Sequence, residues 1–236
     1  MSAILVLGAR NLGGAIADRY AEKGWDVATL SLSEETAADV RARIPDALAM
    51  AADAEDPGAL RAAVGRVSER FGSLDAAVNA VSPPGGAPGR GELAEADPDA
   101  IDRYAKRLVP EVWTFFRVCG RAMLDAGAGA LVQVTGGSAR RAMQGKGAWA
   151  AGAFATRALS QAAALEFRER GVHAALLVVD GVIESDKTRE ALAGKPAHES
   201  VSQPAVVDAI EYLIGQSERA WSHELVITPR GDRWVP

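Results

Sequence analysis

The stretch "AILVLGARNLGGAIADRYAEKG", residues 3–24, decides the fold. Five apolar residues, Ala3 to Leu7, form a run suited to a strand buried on both faces. Gly8, Gly13 and Gly14 punctuate the turn that follows, and an amphipathic segment then ends at Gly24. A strand, a glycine-rich turn and a helix in this order bring backbone N–H groups against an anion at a helix N-terminus. Such a turn needs positive φ and room for a ligand, which glycine supplies. Asn11 stands about where the middle glycine of a Gly-x-Gly-x-x-Gly pattern would fall, and Asn tolerates left-handed backbone better than other non-glycine residues. The same residues also suit a plain strand-to-helix connection, and the position after the first strand favours phosphate binding.

The pattern repeats along all 236 residues. "DVATL", "ALAMAA", "DAAVNAV", "ALVQV", "HAALLVV" and "ELVIT" read as further strands, and helix-like segments alternate with them. One helix is expected from about Asp97 to Ala126 and another from about Trp149 to Arg170. The expected fold is α/β: one Rossmann-like, doubly wound domain over 1–236, with a mainly parallel seven-stranded sheet and helices on both faces. Residues 1–95 would form the dinucleotide-binding half. Two segments break the rhythm, "SPPGGAPGRGE" at 82–92 and the polar 184–204, and the latter is the expected substrate loop.

Composition narrows the function. Hydrophobic residues make up 48% and charged residues 24%, with a net charge of −5, so no basic stripe for nucleic acid is present. The first twenty residues lack a basic region and a long apolar run, which predicts no membrane role and a cytoplasmic protein. His173, His198 and His223 have no metal-ligand spacing, so no metal is expected, and the lone Cys119 reads as a packing residue. After the second strand, "ATLSLS" offers Ser31 and Ser33 and no acid before Glu34. With Arg10 in the turn, this favours NADP(H) over NAD(H), because an acid there would repel a 2′-phosphate. Ser33 reads equally well as the N-cap of the next helix.

"GARNLGG", Asp53 in "AADAED" and "LDAAVNAVS" together resemble the short-chain dehydrogenase/reductase family over nearly the whole chain. The resemblance assigns adenine contact to Asp53 and a cofactor-side place to Asn79. The cofactor-binding set is then Gly8, Arg10, Asn11, Leu12, Gly13, Ser31, Ser33, Asp53 and Asn79. The same resemblance implies a proton relay of Asn, Ser, Tyr and Lys in which Lys lowers the Tyr pKa, Ser polarises a carbonyl and Tyr passes the proton. Those positions fall on Leu108, Gly136, Trp149 and Ala153 here, so the relay is missing. An indole N–H is no useful acid. The "DG" at 180–181 and "RAWSHELVITPRGDRW" resemble a divergent branch of the family.

Ser138, Asp180 and Tyr104 are the candidate replacements, each with a structural alternative: capping for Ser138, an Asp-Gly turn for Asp180 and packing for Tyr104. Trp149, Gly136 and Gly181 are the candidate substrate-pocket residues. Arg140 and Arg141 could hold an anion, although adjacent arginines usually face solvent. Three functions remain open: an NAD(P)(H)-dependent oxidoreductase with altered mechanism acting on an iminium, enone or similar small molecule, a non-redox cyclase, dehydratase or isomerase, and an inactive scaffold. A homodimer or homotetramer is expected from the family's habit of pairing through its long fourth and fifth helices.

Overall fold

A computed structural model describes residues 1–81, 91–232 and 234. The expected loop at 82–92 therefore lies, up to position 90, outside the described residues, and so does Ser82.

Each apolar run forms a strand of one sheet: β1 (Ala3–Leu7), β2 (Asp26–Ser31), β3 (Leu48–Ala51), β4 (Ala76–Asn79), β5 (Gly129–Gly136), β6 (Val172–Val179) and β7 (Glu224–Ile227). Their order is β3-β2-β1-β4-β5-β6-β7 and every pairing is parallel. Because side chains alternate along a strand, β1 sends Ala3, Leu5 and Leu7 into one core and Ile4 and Val6 into the other. The first core is closed by α3 (Pro57–Phe71), α4 (Val109–Ala126) and α5 (Gly147–Phe167). The second is closed by α1 (Leu12–Glu22), α2 (Glu34–Arg43) and α7 (Gln203–Ile214). Burial on both faces is why these strands read as unbroken apolar runs.

The chain leaves β1 outward to β2 and β3 and returns on its other side to β4. The reversal opens a crevice at the carboxyl ends of β1 and β4, the usual ligand position in open α/β sheets.

One expected element differs. The long helix from Asp97 is broken into a 3₁₀ turn at Pro98–Ile101, a π-helical turn at Tyr104–Leu108 and α4. Two prolines account for this. Pro98 begins a turn that Asp97 caps by accepting from the Asp99 N–H at 3.0 Å. Pro110 has no N–H, and its ring excludes the ordinary α-helical position of the carbonyl four residues back, so the turn before it is widened. The 184–204 segment contains a short helix, α6 (Arg189–Leu192), and a 3₁₀ turn at Ala197–Glu199. Its base is pinned where Val201 N–H donates to Val182 O and Glu184 N–H donates to Val201 O, both at 2.9 Å.

Glycines of the first turn are tightly packed. A Cβ on Gly13 would stand 2.4 Å from the Gly8 carbonyl oxygen, whereas one on Gly65, in α3, would meet nothing within 4 Å. Gly13→Ala is therefore expected to destabilise the protein by about 1–3 kcal/mol, and Gly65→Ala to stabilise it by about 0.5–1 kcal/mol. Urea unfolding of the two variants checks the opposite signs.

Candidate active site

The turn after β1 is built from close backbone approaches. Gly8 adopts φ +83°, and a Cβ there would lie 3.0 Å from the backbone N and Cα of Val81, just beyond β4. The two strand ends of the crevice are thus in contact. Ser31 completes the turn from β2, its hydroxyl accepting from the Ala9 N–H at 3.1 Å. Asn11 occupies the N-cap position of α1 and its side chain makes no capping bond, so among the described residues no side chain caps the first-turn N–H groups. Leu12 and Gly13 are buried, and Arg10 is exposed at the rim. A helix N-terminus without a side-chain cap at this turn suits an anion such as a diphosphate.

Arg10 and Asn11 line a cleft of about 800 Å³ that extends to the 184–204 segment, where Ser185, Arg189 and Lys195 face it. Ser33 caps α2, accepting from the Thr36 N–H at 3.3 Å. Asp53 accepts from the Glu55 N–H at 2.9 Å and closes a local turn.

Beneath the crevice lies a residue that sequence reading missed. Glu111, in the first turn of α4, is 2% exposed. Asn79, the last residue of β4, donates through Nδ2 to Glu111 Oε1 and to Gln133 Oε1, both at 2.8 Å. Its Oδ1 accepts from the Val81 N–H at 3.1 Å. Burial pushes the Glu111 carboxyl up to about 8, the Asn79 hydrogen bond opposes this, and the charges of Glu55 and Asp53 add to it. A signal was present in the sequence: position 111 falls on the apolar stripe of Leu108, Val112, Phe115 and Cys119.

On the other side, Gly136 ends β5, and Ser138 is buried in the 3₁₀ turn Gly137–Ala139. Trp149 lies in the first turn of α5, half-buried, with its ring 5.7 Å from that of the fully buried Tyr104. Tyr104 and Leu108 pack over Gly152, where a Cβ would come within 2.8 Å of Tyr104 Cβ. Burial raises the pKa of Tyr104, and the Arg103 charge acts against this. Ala153 is buried one residue further along α5.

Asp180 does not bond its own backbone in an Asp-Gly turn. Both its carboxylate oxygens are 3.2 Å from Arg141, which also lies 4.3 Å over the Trp234 ring. Arg140 pairs with Glu224, as does Arg157 at 2.7 Å. The expectation that adjacent arginines face solvent is thereby corrected: each is held by a carboxylate nearly forty residues or more away in the chain, and that attraction outweighs hydration. Gly181 is packed against Pro229 and Val201, where a Cβ would come within 2.8 Å of either.

A family model described as short chain dehydrogenase matches residues 2–195, and the chain belongs to that family. The 2-(R)-hydroxypropyl-CoM dehydrogenase of Xanthobacter autotrophicus is 28% identical over 231 residues, covering 90% of each chain. The D-threitol dehydrogenase of Mycolicibacterium smegmatis is 31% identical over 176 residues, 71% of this chain and 65% of that one. Among solved structures, a short-chain dehydrogenase from Rhodopseudomonas palustris superposes with a TM-score of 0.77 at 24% identity, covering 97% of this chain and 98% of that one. An alcohol dehydrogenase from the archaeon Thermococcus sibiricus, complexed with 5-hydroxy-NADP, gives 0.82 at 20% identity over the whole of both chains. These likenesses establish the Rossmann fold on which such NADP-binding oxidoreductases are built.

The raised Glu111 value means that the folded protein holds a proton which the unfolded chain releases above the ordinary carboxyl range, at 4.5. Folding stability therefore falls as pH rises from there to about 8, by up to about 1.4 kcal/mol per pH unit from this group. Glu111→Gln keeps an acceptor for Asn79 and removes the proton. Denaturant unfolding between pH 5 and 9 is expected to show the variant gaining on the wild type as pH rises; parallel curves would contradict the assignment.

Proposed function

We propose that the chain is an NADP(H)-dependent oxidoreductase whose substrate needs no proton from the protein. The observation that carries this reading is the cradle at Gly8 and Gly13 with its uncapped α1 N-terminus, set beside a site with Trp149 and Ala153 where the family's Tyr and Lys would stand. A reduced nicotinamide supplies a hydride. An iminium accepts it at carbon and returns the π electrons to nitrogen as a neutral lone pair, and a conjugated enone accepts it at the β-carbon and takes its proton from water.

In this reading Gly8, Asn11, Leu12 and Gly13 offer backbone to the diphosphate, and Ser31 holds the turn rather than the ribose. Arg10 meets the 2′-phosphate from the cleft rim, Asp53 borders the adenine and Asn79 supports the β4 end. Trp149, rigid and half-buried against Tyr104, forms a flat wall that favours a planar or cationic substrate through its π face. Ser138 and Gly136 border that wall. The bond to Arg141 weighs against Asp180, one of the candidate replacements, as a base, and burial weighs against Tyr104 as an exposed acid.

Calorimetric titration is expected to give micromolar binding of NADPH, with NADH weaker. Arg10→Ala is expected to lower NADPH affinity about tenfold, equivalent to about 1.4 kcal/mol, and to leave NADH unchanged. No binding of either nucleotide would end this reading.

Assembly follows the same proposal. Trp113, Phe154 and Leu165 are exposed on α4 and α5, beside a groove of about 270 Å³ lined by Trp113, Phe116, Leu124 and Phe167. Apolar exposure on this scale suits pairing with a second copy through α4 and α5. Light scattering is expected to report a dimer or tetramer, and a monomer would contradict it.

A further inference from the structure

We propose that Glu111 is a positioning residue whose proton is linked to cofactor binding: the dinucleotide binds the form of the protein in which this carboxyl is neutral. The inference rests on the cofactor reading above and adds a proton to it.

Geometry carries the link. Glu111 Oε1 and Gln133 Oε1 take the Asn79 Nδ2 donors, and Asn79 Oδ1 holds the Val81 N–H. Val81 backbone then lies where a Cβ on Gly8 would come within 3.0 Å. Each step in this path is a bond or a close backbone approach, and the path ends at the turn proposed for the diphosphate. A buried carboxylate at its head would add negative charge below an anionic ligand in a medium of low dielectric.

Among the described residues, none of the groups that face Glu111 compensates that charge. Asp53 and Glu55, between β3 and α3, both act against ionisation, and Arg107 is already committed to Glu55 at 2.9 Å. From β4 and β5 the partners are the neutral amides of Asn79 and Gln133. Core side chains of α3 and α5 on this face of the sheet, Leu60, Val64 and Ala163, are apolar. The neutral carboxyl is the state this environment favours, and it titrates near neutrality, at about 8. Linkage makes the effect reciprocal: a ligand that favours the neutral form raises the carboxyl's affinity for its proton.

The test is calorimetric titration of the full chain with NADPH at pH 7 and pH 9, each in two buffers of different ionisation enthalpy. Both values lie above the second pKa of a phosphate monoester, about 6, so the ligand's own charge is constant. For the wild type the expected result is an affinity about tenfold lower at pH 9, with net proton uptake on binding. Glu111→Gln should bind equally at both values with no uptake through this group. Equal wild-type affinity at both values without proton uptake, or a Glu111→Gln variant that keeps the wild-type slope, would overturn the proposal. If the variant does not fold, the wild-type proton count decides. Absence of NADPH binding at either pH would instead overturn the cofactor reading on which the proposal stands.

Discussion

The backbone contact between Gly8 and Val81 is the constraint on which the rest of the site depends. It joins the turn after β1 to the end of β4 across the crevice where the chain reverses direction, and it leaves no space for a side chain. Around it the structure spends its polar groups on fixing backbone. Ser31 holds Ala9, Asn79 holds Val81, and Glu111 and Gln133 hold Asn79. A ligand cradle made of main-chain N–H groups is accurate only if the main chain cannot move, and these side chains are what immobilise it.

The other half of the crevice is built on different terms. Trp149 packs against Tyr104, and Tyr104 fills the close approach to Gly152, at the place our proposal gives to the family's acid and its tuning cation. The nearby charged groups are consumed by one another, with Asp180 on Arg141 and Glu224 on both Arg140 and Arg157. Under the proposed function this half serves shape and stacking rather than proton transfer.

Legibility in the sequence followed the range of the forces involved. Strands buried on both faces leave continuous apolar runs, so "AILVL" and "HAALLVV" revealed β1 and β6 directly. The glycine turn was plain at Gly8, which takes φ +83°, whereas Asn11, read as a left-handed substitute for glycine, instead sits at φ −123° as the N-cap of α1. Pro110 sat within an amphipathic pattern that otherwise reads as one helix, and the π-helical turn before it depends on a steric clash that periodicity does not record. Glu111 falls within the helix expected from Asp97, on its apolar stripe, but its polar partners Asn79 and Gln133 come from other strands, and Asn79 stands 32 residues before it in the chain. Arg141 and Asp180 were each visible, but their pairing across 39 residues was not.

The central claim is that this site can deliver hydride but no proton. It is tested most directly by single-turnover absorbance of NADPH with a preformed iminium and with the ketone of the same carbon skeleton. The account predicts loss of the reduced-nicotinamide absorbance with the iminium and none with the ketone. Equal rates for the two would contradict it.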